Sequence, residues 1–126
     1  MTRVVSDGDA LRVVRFEAAG ARFAIEARHV RAMRPAVPDR GLSVESWLGL
    51  AGGGGAGRCL LDVSTGGGRR LLEFAGDVRV DSLPAASIHP LPVLLAARTR
   101  LSGLAALAVD ADGVVLIIDP TRIDPL

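Results

Sequence analysis

The sequence contains no lysine, no tyrosine, and only one cysteine and one tryptophan. Because Cys59 is alone, the chain cannot form an internal disulfide or a metal site built from several thiolates. No apolar run approaches the roughly 20 residues that a membrane-spanning helix needs, and the N-terminus lacks an apolar stretch of signal-peptide length. We therefore expect a soluble, cytoplasmic protein without a metal or a cofactor.

Aromatic residues make up only 3% of the chain, so Val, Leu, Ile and Ala must supply most of the core. The basic residues, all of them arginine, number 15 against 14 acidic residues. This balance argues against a general nucleic-acid binder, which needs a basic surplus. The charge is uneven, however: residues 1–40 hold eight arginines and five acids, and residues 41–126 hold seven and nine. The asymmetry either orients a partner or marks two solvated faces.

Three pairs of apolar segments, each joined by a short turn, predict β-hairpins. The last pair is the clearest, because residues 104–109 and 114–118 flank the turn at residues 110–113. Residues 114–118 are almost wholly apolar, which predicts a strand buried on both faces, and Pro120 ends its pairing. The other two hairpins join residues 12–17 to 22–26, and 58–64 to 69–80 with a bend at Gly76. So many short strands and so little helix predict small β-barrels.

The segment of residues 27–35 fits a bulged strand better than one helical turn, because prolines close it so soon. His29 within it is expected at the surface or as a cap, since no Cys or carboxylate stands at ligand spacing. Residues 43–50 predict a short helix that ends at Gly49. Trp47 in that helix either covers a barrel end or contacts a partner.

Segments rich in glycine or proline predict the connections in the rest of the chain. Residues 51–57 are glycine-rich but lack the Gly-Lys-Ser/Thr ending of a phosphate loop, so they predict a linker. Residues 84–92 hold three prolines and predict a connection outside the sheets. Residues 92–100 predict one to two helical turns.

No catalytic constellation is evident, so we do not expect an enzyme. Cys59 lies in an apolar strand, and the two histidines lie far apart in the sequence. Asp110 and Asp112 are expected to form a turn, and Asp119 to cap a helix. Their spacing does not complete a calcium-binding loop.

An ordered set of motifs resembles the CheW-like domains of bacterial chemosensory systems. Phe23-Ala24-Ile25 followed by Val30-Arg31-Ala32-Met33 is similar to the family's Y/F-A-I and V-R-E-I segments. Residues 80–92 resemble the stretch that runs from a strand of the second barrel to I-x-P-x-P. Residues 101–107 and 113–123 resemble the family's closing hairpin.

The resemblance implies a mostly β fold of two small SH3-like antiparallel barrels with short helices, the first barrel truncated. It implies one CheW-like domain over residues 1–126, with subdomain 1 at about 11–50 plus the C-terminal segment and subdomain 2 at about 58–118. Family members are noncatalytic scaffolds that bind the cytoplasmic tip of a methyl-accepting chemoreceptor in a groove between the barrels. They also bind a regulatory domain of the histidine kinase.

The sequence departs from the family pattern at one point. The family's N-L-R-G segment and its P-V-V-D-L strand have no counterpart, because only residues 35–50 fill that space. This shortening resembles the divergent CheW-like adapters of the Frizzy chemosensory system of gliding bacteria. It implies that receptor binding persists while kinase binding is weakened or lost.

Receptor docking would place an amphipathic helix against an apolar strand face. The candidate contacts are Val30, Arg31, Met33, Leu72, Phe74, Val78 and Val80. Two alternatives stay open. The shortened chain could expose strand edges that associate with other copies or with other CheW-like proteins, or it could be a small β-barrel enzyme or ligand binder.

Overall fold

The computed structural model describes residues 9–35, 41–50, 59–92, 101 and 103–123. The described residues form one α-helix, α1 (Val44–Leu48), and three single-turn 3-10 helices at Ala27–His29, Ala85–Ser87 and Pro120–Arg122. They also form ten strands: β1 Ala10–Ala18, β2 Ala21–Glu26, β3 Val30–Pro35, β4 Leu42–Ser43, β5 Cys59–Thr65, β6 Gly68–Phe74, β7 Val78–Pro84, β8 Ile88–Pro90, β9 Leu104–Asp110 and β10 Gly113–Ile118. The expected mostly β fold class is confirmed.

The strands form two sheets. Sheet A has the order β7-β1-β2-β10-β9-β8, and sheet B has the order β3-β5-β6-β4. Neighbouring strands are antiparallel except for β10 with β2 and β4 with β6, which are parallel. Each sheet combines strands that precede and follow residues 51–58, so the sheets do not coincide with the expected subdomains, at about 11–50 plus the C-terminal segment and at about 58–118. That division remains a prediction.

The larger apolar cluster lies between the two sheets. All three phenylalanines of the chain meet there. The ring centroid of Phe16 on sheet A lies 5.5 Å from that of Phe23 and 4.8 Å from that of Phe74 on sheet B. Burial of rings and aliphatic side chains from both sheets is therefore the main force that holds the sheets together.

A second apolar cluster lies on the opposite face of sheet A. Strands from across the sheet contribute its buried side chains, which are Val13, Ala24, Leu83, Ala108, Val115 and Ile117. Because these residues share one face and contact one another, sheet A must curl around them. The central strands β1, β2 and β10 are consequently buried on both faces over much of their length.

The three predicted hairpin turns are present, and they join β1 to β2, β5 to β6 and β9 to β10. The predicted short helix is also confirmed. Ser43 caps α1 by accepting a hydrogen bond from the backbone N–H of Ser46 at 3.2 Å, and Gly49 ends it with a φ of 78°. Trp47 is buried in the larger cluster, which supports its structural reading over a partner contact.

The single strand predicted at residues 69–80 is wrong. The chain breaks around Gly76, so that β6 pairs with β5 in sheet B and β7 pairs with β1 in sheet A. The period-two pattern continues across the break, but the pairing partner changes. The prediction placed Leu72 and Val80 on one surface because an even number of residues separates them, although they belong to different sheets.

The connection predicted at residues 84–92 is also partly wrong. Residues 88–90 form β8, which pairs with β9 at the margin of sheet A. The segment can pair because Pro84 and Pro90 lie at the ends of strands, where a missing N–H does not interrupt a ladder.

Residues 27–35 combine both predicted forms. A 3-10 turn at Ala27–His29 leads into β3, whose pairing with β5 shifts register between Val30 and Ala32. The surface position expected for His29 is wrong, because its side chain is buried beside Glu26, with Nε2 3.9 Å from Oε2.

Val114 also departs from expectation: it is 50% exposed, so β10 is not buried on both faces along its whole length.

The predicted glycine-rich linker, and the helical turns predicted at residues 92–100 apart from residue 92, lie outside the described residues. Among the helices that the structure describes, none has the length and apolar character needed to cross a membrane.

Truncation of Phe74 to alanine tests whether the aromatic cluster joins the sheets. Phe74 is 1% exposed, so Phe74→Ala should lower the free energy of unfolding by about 3–5 kcal/mol in a urea titration. Val109→Ala, at a half-exposed position, should cost less than about 1 kcal/mol. Equal effects of the two substitutions would contradict the packing described above.

Candidate functional site

A groove of about 270 Å³ opens at one margin of the interface between the sheets. Sheet A contributes residues of β1 and β7, and sheet B contributes β3 together with the 3-10 turn that precedes it. We call this site the docking groove and define it by its lining residues: Arg12, Val14, Ala27, Val30, Arg31, Ala32, Met33 and Val80. Both β7 and β3 are outermost strands of their sheets among the described strands.

Strand pairing explains why distant residues meet in the docking groove. Val14 on β1 lies directly opposite Val80 on β7, so both side chains project from the same face of sheet A. On sheet B, Met33 lies opposite Leu61, whose side chain is in the core. Val14 itself is 2% exposed and belongs to the larger cluster. The floor of the groove is therefore the outer end of the protein's own core.

The walls of the docking groove expose apolar side chains that water solvates poorly. Met33 is 48% exposed and Val80 is 51% exposed, and they face a common cavity. Only two other large apolar side chains of the described residues are comparably exposed, Val109 and Val114. An apolar concave surface that includes flexible methionine is typical of a site that another chain covers.

The structure brings together four of the predicted contact residues: Val30, Arg31, Met33 and Val80. The prediction is corrected for Leu72 and Phe74, which do not line the groove because they are 0% and 1% exposed in the core between the sheets. Val78 lies opposite Phe16 and packs against the same core, so it supports the groove rather than lining it.

Sequence reasoning missed Arg12, Val14, Ala27 and Ala32. The alternation of Arg12, Val14 and Phe16 along β1 was a usable signal, because it places all three on one face. The missing information was the pairing of β1 with β7, which joins residues more than sixty positions apart.

An arginine–aspartate network fixes β7 beside β1. Arg15 on β1 donates to Asp81 on β7 at 2.9 Å and to Asp110 at the end of β9 at 2.9 Å. Arg22 on β2 donates two further hydrogen bonds to Asp110, at 2.8 and 3.1 Å. The network ties three strands to β1, including the strand that carries Val80.

These contacts hold the acidic groups in their charged form. Hydrogen bonds from Arg22, from the backbone N–H of Asp112 and from Arg15 hold the pKa of Asp110 far below its usual range. A hydrogen bond from Arg15 and one from the backbone N–H of Ser82 lower the pKa of Asp81. Asp110 thus forms the predicted turn and also joins neighbouring strands through its ion pairs. We call the network of Arg15, Arg22, Asp81 and Asp110 the ionic clamp.

A second ion pair lies on the outer face of sheet B. Asp62 is 4% exposed, and Arg69 donates two hydrogen bonds to it. Arg69 is the main cause of the lowered pKa of Asp62, and the more distant charges of Arg34 and Arg31 lower it further. The buried carboxylate is therefore compensated within the chain.

The other described side chains that could bind a metal or act as nucleophiles do not form a cluster. In the described part of the chain, no three His, Cys, Asp or Glu side chains lie close enough to hold a metal ion. Burial raises the pKa of the Cys59 thiol, which favours its protonated form. Asp119 caps the last 3-10 turn through hydrogen bonds from Thr121, as predicted.

Comparison with known proteins gives one informative result. No protein-family model matches the sequence, and no curated protein matches it. Among solved structures, this chain is similar to the scaffolding protein CheW from Thermoanaerobacter tengcongensis, with a TM-score of 0.69. The match covers 92% of this chain and 93% of that chain at 16% sequence identity. At this identity, the comparison establishes a shared CheW-like fold.

The ionic clamp predicts a specific pH dependence. The lowered pKa values of Asp110 and Asp81 mean that their stabilisation is fully present above the unfolded-state pKa of about 3.9. It is lost as the pH falls below that value towards the folded-state pKa values. In urea titrations from pH 7 to pH 3, wild-type stability should therefore fall most steeply below about pH 4.

The Asp110→Asn variant isolates the contribution of the clamp. It should be less stable than wild type at pH 7 and should lose less stability on acidification. Asp9→Asn serves as the control, because the Asp9 carboxylate forms no ion pair with a described residue. Parallel pH profiles for wild type and Asp110→Asn would contradict the assigned role.

Proposed function

We propose that this chain is a noncatalytic, cytoplasmic adapter of a bacterial chemosensory array. It binds the cytoplasmic tip of a chemoreceptor by accepting a receptor helix in the docking groove. The observation that carries this proposal is the partly exposed apolar groove between two sheets, in a chain with the fold of a CheW scaffolding protein. The motifs at residues 23–25 and 30–33 add support, because the second of them forms one wall of the groove.

The docking groove suits a helix because its contacts come from two walls. Met33 and Val80 contribute apolar area from opposite sheets, and Val14 closes the floor. An amphipathic helix can insert an apolar stripe between such walls while its polar face remains in water. Burial of apolar area would supply the affinity, at roughly 25 cal/mol per Å² before the costs of association.

Kinase binding is the part of the adapter function that we expect to be reduced. The N-L-R-G segment, whose arginine contributes to receptor and kinase contacts in CheW-like proteins, has no counterpart in the sequence. This chain would then connect to the array mainly through the receptor, as the resemblance to the Frizzy adapters implies. A single CheW-like domain is part of the same proposal, with subdomain 1 at about 11–50 plus the C-terminal segment and subdomain 2 at about 58–118.

A pull-down with the cytoplasmic fragment of the partner receptor tests the adapter function. Met33→Asp and Val80→Asp each place a charge in the apolar walls, so each should weaken receptor binding by at least about tenfold. Val109→Asp is the matched control, because Val109 is 50% exposed and Val80 is 51% exposed.

The result is interpretable only for folded variants, which circular dichroism and thermal unfolding can verify. Receptor binding that survives both groove substitutions would refute helix docking at this site. The regulatory domain of the kinase, used as a second bait, should be recovered poorly by the wild-type chain. Strong recovery would instead show that the missing segment is dispensable for the kinase.

Self-association is a second candidate function, because the outermost strands β3 and β7 border the same groove. Unpaired backbone groups on such strands can pair with a strand of another copy or of another CheW-like protein. Multi-angle light scattering across a concentration series should then show mass increasing with concentration. A constant monomer mass up to high micromolar concentration would exclude association between copies.

A further inference from the structure

As far as the described residues show, the docking groove carries positive charge on both sides and no negative charge. Its described lining includes Arg12 from sheet A and Arg31 from sheet B, and no acidic residue. Both arginines are exposed, so they lie at the solvent-facing rim of the groove. The apolar walls formed by Met33 and Val80 therefore lie beside one cation from each sheet.

These two arginines differ from others in the described part of the chain. Arg15, Arg22 and Arg69 each bond directly to an aspartate. Arg12 and Arg31 form no direct ion pair with a described carboxylate. Arg31 does interact with Asp62 over a longer distance, but the Asp62 carboxylate is already bonded to Arg69. Within the described part of the chain, the rim of the groove consequently retains positive charge that no direct ion pair compensates.

We propose that the docking groove selects helices by charge as well as by apolar surface. The helix that fits has an apolar stripe at positions i, i+3, i+4 and i+7, with Glu or Asp on both sides of the stripe. Acidic residues on one side would meet Arg12, and those on the other side would meet Arg31. This inference rests on the proposed helix-docking function and specifies the chemistry of the partner.

Charge selection of this kind has recognisable physical consequences. A helix with basic flanks would bring like charges together at both sides of the groove, which costs affinity and slows association. The arginines are exposed, so salt should screen the preference strongly, given a Debye length of about 10 Å at 0.1 M. The apolar contribution from Met33 and Val80 should change much less with salt.

Two synthetic helical peptides with the same leucine stripe provide the test, one flanked by glutamates and the other by lysines. Fluorescence anisotropy with the full chain at 50 mM NaCl should show the glutamate peptide binding at least about tenfold more tightly. The difference should shrink severalfold at 500 mM NaCl.

A charge reversal assigns the preference to the two arginines. The double variant Arg12→Glu/Arg31→Glu should bind the lysine peptide more tightly than the glutamate peptide. Arg79→Glu is the control, because Arg79 lies next to Val80 on β7 but lines a different cavity, with Arg15 and Asp77. It should retain the wild-type preference.

The outcomes separate this inference from the function on which it rests. Equal affinity of wild type for both peptides, with loss of binding in Met33→Asp, would overturn charge selection and leave helix docking intact. Failure to bind either peptide, or binding that Met33→Asp does not weaken, would count against helix docking itself. Retained preference in the double variant would show that other cations are responsible.

Discussion

The edge-to-face contact of Phe16 on sheet A with Phe74 on sheet B is the interaction on which the rest of the structure depends. These two ring centroids lie 4.8 Å apart, Phe23 stacks on Phe16 at 5.5 Å, and no other part of the chain offers comparable aromatic area. The separation of the sheets at this cluster also sets the width of the space beside it. Where the cluster ends, at Val14, the same two sheets continue outward and leave the docking groove between them.

Alternation along β1 assigns different roles to neighbouring residues. Val14 and Phe16 point to the interface between the sheets, whereas Val13 points into the core that sheet A encloses. Arg15, on the same side as Val13, reaches the aspartates that hold β7 in place. A strand buried on both faces can therefore position a surface site on one side while an ionic network on the other side keeps the wall of that site aligned.

Local patterns were sufficient to predict the hairpins, the capped helix and the mostly β class, because turns and caps depend on a few adjacent residues. Pairings between distant segments were not predictable in this way. Gly76 predicted a bend, but the period-two pattern continues on both sides of it, so the local sequence did not reveal that β7 pairs with β1 and not with β5. For the same reason, the prediction placed buried Leu72 and Phe74 beside exposed Val80. Val30, Arg31 and Met33 lie on a single strand, so a local pattern was enough to group them, and their contact with a partner stays a prediction.

The position of the docking groove also links recognition to folding. A helix bound there would contact β1 and β7 of one sheet and β3 of the other, so it would connect the two sheets from outside. Ligands that bind only the folded state raise its stability by RT ln(1 + L/Kd), where L is the ligand concentration, so the stabilisation grows with the ratio of ligand concentration to Kd. Occupancy of the groove would therefore make separation of the sheets harder, and the helix-bound protein would unfold less readily than the free protein.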